Sequence, residues 1–345
     1  MKGFASDNYA GIHPEVMQAI AAANDGDHAK AYGADPWTAR AQELFALHFG
    51  QDARAYLMFN GTGANVTAMR ACCRPWEGVI CADTAHVHVD EGGAPERMGG
   101  LKLLTTPTPD GKLTPDDVAR LTIRVGDEHA VQARIVTVTQ SSELGTVYQP
   151  GELRALADAA HARNLLLHID GARLSNAAAA LGATFRDITT DAGVDVVTFG
   201  ATKNGALGAE AVVFLTPGLD DGFLYLRKQS MQLASKGRFF AAQVVALLEG
   251  DLWHRTAAHA NAMAARLAAS VHGLPGVRVT QAVQANAVFA ILPAGVAETL
   301  MERWPFYIWD EATGEVRWMC SWDTTVEEVD AFGAAVAGAV AEIRP

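Results

Sequence analysis

Leu165-Leu166-Leu167-His168-Ile169-Asp170-Gly171-Ala172-Arg173 carries an apolar run straight into a carboxylate, two small residues and an arginine. The run does not alternate, which suits a strand covered on both faces, as in the middle of a parallel sheet. Ligands of open α/β sheets collect at the carboxyl ends of the strands, so the chemistry is to be sought just after Ile169. His168 and Asp170 are two apart and share one strand face. A carboxylate there is costly to bury without a partner. An internal Asp170–Arg173 ion pair is one reading, and an Asp170 turned toward a ligand is the other.

Similar runs lie on both sides: Ala55 to Phe59, Val79 to Ala82, Ile135 to Thr139, Val194 to Phe199 and Ala211 to Leu215. Helical patterns separate them. Leu153, Leu156, Ala157 and Ala160 recur at i, i+3, i+4 and i+7 behind Pro150, and Thr114-Pro115-Asp116-Asp117 is a helix start. This alternation predicts an α/β domain, a mainly parallel central sheet flanked by helices. Beyond Gly250 the pattern changes to an Ala-rich helix from about Leu252 to His272, then strand-like runs at Val277 to Val279, Ala287 to Leu292 and Val316 to Met319. Thr325 and Glu328 form a capping box that opens a last helix. The expected organisation is an arm over 1–15, a large domain over 16–245 and a smaller α+β domain over 246–345.

The 345 residues are 50% hydrophobic and 19% charged, with a formal net charge of −12. That composition supports a folded core. The acidic excess argues against nucleic acid and anionic membranes as partners. Cys72, Cys73, Cys81 and Cys320 include no C-x-x-C pair, so buried thiols are expected and a metal site is not. The opening Met1 to Asn8 has no apolar leader core, and no uncharged apolar run reaches the roughly 18 residues of a membrane span. A cytoplasmic protein is expected.

Two further segments fall at strand ends. Asn60-Gly61-Thr62-Gly63-Ala64-Asn65 follows one strand and opens a helix, where free N–H groups and the helix dipole favour an anion. It lacks the third glycine of a dinucleotide fingerprint and the Lys-Ser/Thr of a P-loop, so a phosphate cradle and a plain tight turn both fit. Thr198-Phe199-Gly200-Ala201-Thr202-Lys203-Asn204-Gly205 sets Lys203 among small residues. It is either a solvent-facing loop lysine or a partly desolvated nucleophile. A lysine for a Schiff base, an Asp under a pyridine nitrogen and an anion-binding helix end are together what pyridoxal phosphate requires.

The chain resembles the threonine aldolases, fold-type-I pyridoxal-phosphate enzymes, along nearly its whole length. The matching segments are Ser6-Asp7-Asn8-Tyr9-Ala10-Gly11-Ile12-His13-Pro14, Asp27 through Tyr32-Gly33-Ala34-Asp35-Pro36, Asn60 to Asn65, Ala85-His86 with Glu91-Gly92-Gly93-Ala94, Asp170 to Arg173, and Thr202-Lys203-Asn204-Gly205. The resemblance implies that Lys203 holds the cofactor covalently and Asp170 pairs with its ring nitrogen. By the same resemblance Gly61, Thr62 and Gly63 hold the phosphate, Thr202 and Arg173 belong to the cofactor site, and His86 stacks on the ring, with His88 as its competitor. Ser6, Arg173 and Arg317 bind the substrate carboxylate. Tyr32 reaches into a neighbouring subunit of a homodimer or homotetramer. Asn65 is open to a helix-capping role, and Lys236 and Arg238 to a phosphate contact across that interface or a solvated turn.

The implied reaction is retro-aldol cleavage of threonine, allo-threonine or phenylserine to glycine and an aldehyde. A β-eliminating lyase and a catalytically degenerate binding protein of the same fold are the alternatives. Thr139-Gln140-Ser141-Ser142-Glu143-Leu144-Gly145 departs from relatives that carry a histidine here. Glu143, made more basic by the cofactor phosphate, is therefore a candidate for activating the β-hydroxyl, against His86.

Overall fold

Each apolar run becomes a strand in the computed structural model, which describes residues 2–342. The strands of the large sheet are β1 (Arg54–Met58), β2 (Glu77–Ala82), β3 (Lys102–Thr106), β4 (Gln132–Thr139), β5 (Leu166–Gly171), β6 (Val196–Gly200) and β7 (Glu210–Phe214). Their order is β1-β7-β6-β5-β4-β2-β3, with β7 antiparallel to both its neighbours and the other pairings parallel. β5 and β6 lie in the interior of the sheet and are buried nearly throughout, which is why they read as unbroken apolar runs. β3 was not legible in the sequence. It is one of the two edge strands, and with Lys102 and Thr105 exposed it has no continuous apolar run to read.

Helices cover the sheet where the start signals placed them. Thr114 and Asp117 form a reciprocal capping box on the helix Pro115–Leu121, and Pro150 opens the helix Pro150–His161 with Leu153, Leu156, Ala157 and Ala160 buried. Phe45, Phe49, Phe185 and Phe199 interlock in the main core, Phe49 and Phe185 stacking at 5.3 Å between centroids.

A second sheet follows, built of β8 (Arg278–Val279), β9 (Ala287–Ile291), β10 (Tyr307–Asp310) and β11 (Glu315–Met319) in the order β10-β11-β9-β8, all antiparallel. β10, half solvated, was also missed in the sequence. The second apolar core contains Trp304, Phe306, Trp318 and Phe332, and also Phe4 from the opposite end of the chain. Phe4 stacks on Phe332 at 4.5 Å, its N–H donates to the Pro305 carbonyl (2.7 Å), and its own carbonyl accepts from Met319 N–H (2.8 Å). The first residues are thus pinned to the second sheet. The helix Leu252–Val271 joins the two parts, with Asn261 hydrogen-bonded to Asn176 of the large one.

Candidate active site

The parallel strands β1, β2, β4, β5 and β6 all end at one edge of the large sheet, and antiparallel β7 begins there. Their next residues wall a cleft of about 380 Å³, among them Asn60, Gly61, Thr62, His86, Glu143, Asp170, Arg173 and Lys203. The strand-end rule thus brings together side chains that are far apart in sequence.

Asp170 at the end of β5 is buried, with Oδ1 accepting from Ala172 N–H (3.0 Å) and Oδ2 from Asn65 Nδ2 (2.7 Å). The Asp170–Arg173 ion pair is therefore overturned. Arg173 turns instead to Asp7, donating from Nε (2.7 Å) and Nη2 (2.9 Å) to its two oxygens. Asp7 belongs to the 3₁₀ turn Asp7–Tyr9, and Asn286 Nδ2 also donates to it (3.1 Å). Burial alone would raise the Asp7 carboxyl, but the Arg173 charge and these hydrogen bonds hold it below the ordinary carboxylate range. Asp7 offers Arg173 both of its oxygens at once, a match for the planar fork, whereas Asp170 is held by Asn65 and Ala172 with acceptor sites still open.

Asn65 is also not the helix cap. That role falls to Asn60, whose Oδ1 accepts from Gly63 N–H (2.7 Å), while Asn65 lies one turn further in, buried. Its Nδ2 bridges Asp170 and Glu91 Oε1 (2.9 Å), and the same Glu91 oxygen meets His86 Nδ1 (2.9 Å). Asp170, Asn65, Glu91 and His86 thus form one hydrogen-bonded chain. The Glu91 contact raises the His86 pKa against the effect of burial and leaves Nε2 as the free ring nitrogen. His88, the competitor, is exposed.

At the start of the helix Gly61–Cys72 the cap consumes the Gly63 N–H, so the expectation for Gly63 is corrected: the donors left over are Gly61 and Thr62. Gly63 serves packing, since a Cβ there would meet the Gln232 amide at 2.2 Å. A Cβ on Gly61 would meet nothing within 4 Å, so this glycine leaves the mouth of the helix open.

Lys203 sits on the 3₁₀ turn Thr202–Asn204 beyond β6. Burial lowers its pKa and the Arg173 charge lowers it further, against Asp7, Asp170 and Glu210. Such an amine is closer to a nucleophile than a surface lysine. Thr202 faces the cleft, but its hydroxyl donates to Glu210, a carboxylate the sequence reading passed over. A lone carboxylate opening the apolar strand Glu210-Ala211-Val212-Val213-Phe214 was the available signal.

Glu143 accepts from His86 N–H (2.8 Å) and Thr139 Oγ1 (2.6 Å), and burial raises its pKa. Beneath Asp170, His168 is held between Thr137 and Thr198 hydroxyls, and burial depresses it to about 4, so it stays neutral.

Arg317 on β11 lies against Tyr307 and Trp309 (5.5 and 4.8 Å to the ring centroids), donates to the Ala5 carbonyl (3.3 Å) and keeps an unpartnered buried Nε. Burial, reinforced by Arg173, lowers its pKa to about 10. The next residue, Ser6, caps the turn at Asp7 through Oγ (3.2 Å to Asn8 N–H) and is not in the cleft wall. Tyr32 is exposed and borders a different cavity, of about 210 Å³, with Tyr56 and Arg227. Neither Lys236 nor Arg238 lines the cleft, and Arg238 donates to the Ala23 carbonyl (2.9 Å).

The Lys203 amine, the Asp170 carboxylate, the His86 imidazole and an open helix N-terminus line one cleft and fit pyridoxal phosphate; Arg317 is outside that lining, and its unpartnered buried Nε fits a carboxylate. A model of the beta-eliminating lyase family matches residues 3–293. The chain belongs to that family.

Among relatives related to this family member, a low specificity L-threonine aldolase of Pseudomonas aeruginosa is 47% identical, over 94% of each chain. One from a Pseudomonas species is 46% identical over 93% of each. A solved threonine aldolase of Leishmania major superposes with a TM-score of 0.93 at 31% identity, covering 99% of this chain and 100% of that one. The fold-type-I architecture expected from the resemblance is the architecture found.

Proposed function

We infer that this chain cleaves threonine to glycine and an aldehyde with the help of pyridoxal phosphate. The observation that carries this reading is the meeting of Lys203, Asp170 and the open helix start at Gly61 in one cleft, each from a different strand end. Full-length similarity to threonine aldolases places aldol cleavage ahead of β-elimination.

The bound cofactor supplies an electron-accepting ring in conjugation with the substrate amine. Lys203 Nζ, kept less basic by burial and Arg173, would hold it covalently. Asp170, fixed by Asn65 and Ala172, would pair with the ring nitrogen and favour its protonated form. The Gly61 and Thr62 N–H groups would hold the phosphate, and His86, which lines the same cleft, would pack against the ring. Arg173, steadied by Asp7, and Arg317 take the substrate carboxylate and so orient the Cα–Cβ bond. His86 Nε2 and the Glu143 carboxylate are the two groups placed to take the β-hydroxyl proton.

The same reading makes the active unit a homo-oligomer in which Tyr32 serves the neighbouring site. It also places the protein in the cytoplasm, with four free cysteines and no described helix long and apolar enough to cross a membrane. Purified protein incubated with threonine, allo-threonine and phenylserine should release glycine and the matching aldehyde from threonine at least. Release of ammonia and a keto acid instead would replace this reading with β-elimination. Lys203→Ala should still bind cofactor but lose the borohydride-reducible link, and a retained link would move the nucleophile elsewhere.

A further inference from the structure

Glu210 opens β7 directly opposite Met58 of β1 on one side and Gly200 of β6 on the other. Those two strands run on into the helix start at Gly61 and the turn bearing Lys203, so Glu210 sits between the anion cradle and the amine. Its side chain is 6% exposed and lines the cleft. One oxygen accepts the Thr202 hydroxyl. The charged groups that face it are Lys203 on the turn and Asp170 on β5, and Asn60 to Gly63 carries no charge at all. Nothing in the reaction outlined above uses this carboxylate, and next to a bound phosphate it would be repelled.

We propose that Glu210 is a proton-uptake site coupled to filling of the cradle: ionised beside the free Lys203 ammonium, it takes a proton from solvent when a phosphate group enters at Gly61. The inference rests on the cofactor reading of the cleft. Two changes on loading act in the same direction. A dianion arrives beside the carboxylate, and Lys203 gives up its ammonium charge when it makes its covalent link. Burial already lifts Glu210 to about 7 against the opposing effects of Thr202 and Lys203, so a modest further push carries it through neutral pH. Once protonated it is an O–H donor at the cradle instead of a repelling charge. By linkage, a group that holds its proton more tightly in the loaded form makes loading tighter as pH falls.

The probe is pyridoxine 5′-phosphate, which carries the same ring and phosphate with an alcohol in place of the aldehyde and so cannot react with Lys203. Titrated calorimetrically into the full chain freed of cofactor, in buffers of different protonation heat, it reports protons taken up per ligand bound. At pH 8 the unmodified chain should take up a fraction of a proton more than Glu210→Gln, and its affinity should fall more steeply than that variant's as pH rises above 7, by at most about tenfold per unit. His86, Asp170, Glu143 and Arg173 are common to both proteins, and Lys203, whose pKa Glu210 raises, is the one further group whose proton binding follows residue 210. Equal uptake overturns the assignment. Thr202→Val keeps the carboxyl and removes a donor that favours its charged form, so the midpoint of the excess uptake should move to higher pH. An unmoved midpoint also overturns the assignment, and this variant decides the matter if Glu210→Gln does not fold. Binding with equal uptake sinks only the role of Glu210, whereas absence of binding at every pH sinks the cofactor reading together with it.

Discussion

Asp170→Asn keeps the shape of the side chain and the hydrogen bond to Ala172 N–H, yet loses the charge proposed to pair with the ring nitrogen. The variant should fold, bind cofactor and lose threonine cleavage by orders of magnitude, checked by circular dichroism alongside glycine release. Near wild-type turnover would make Asp170 structural. The proton acceptor is decided by pH–rate profiles. A base must be deprotonated to act, so its pKa sets the rising limb at low pH. If His86 is the base, Glu91 holds that limb up, because the hydrogen bond to Nδ1 is the main cause of the raised His86 pKa. Glu91→Gln should then move the limb to lower pH, and His86→Phe should abolish it. If Glu143 is the base, Glu143→Gln abolishes the limb and Glu91→Gln leaves it in place. Burial raises the Glu143 pKa, with Thr139 and His86 N–H as its nearest partners.

The segment from Phe4 to Tyr9 ties the second sheet to the candidate site. Phe4 is anchored in the second core, and three residues on Asp7 grips Arg173 of the large sheet. With Nε and one face of Nη2 occupied by Asp7, Arg173 has its remaining edge for a substrate carboxylate. Asp7→Asn should therefore raise KM for threonine far more than it lowers kcat, with cofactor affinity retained. An unchanged KM would show that Asp7 only anchors the arm. Phe4→Ala removes a ring that is 1% exposed and should cost about 3–5 kcal/mol in chemical denaturation. Arg317→Lys keeps the charge but loses the fork, so amino-acid binding should weaken while cofactor binding holds. Equal losses of both would instead report misfolding.

At the scale of the whole molecule, the exposed Tyr32 borders a cavity other than its own cleft, and its proposed service to a neighbouring copy is open to direct test. In a two-fold dimer each surface meets its like, so a residue given to the partner's site is received in return. Inactive Lys203→Ala and an inactive Tyr32 variant, mixed and allowed to exchange subunits, should recover activity through hybrids that contain one intact site. Failure to complement would confine Tyr32 to its own chain.

The strands, their end turns and the residues delivered there were legible in the sequence. Buried parallel strands show as apolar runs, turn glycines follow them, and capping pairs are three residues apart, all of them local signals. Edge strands β3 and β10 escaped because half of each faces solvent. What only the tertiary structure decided is which polar groups meet. Arg173 passes over Asp170 for Asp7, 166 residues away, and Asn65 reaches Asp170 across 105. Glu210 reads as an ordinary strand end until burial between β1 and β6 makes it a proton-binding group near neutrality. A buried charge must find a partner or give up its ionisation, and the partner is chosen by distance in space after the chain has closed on itself.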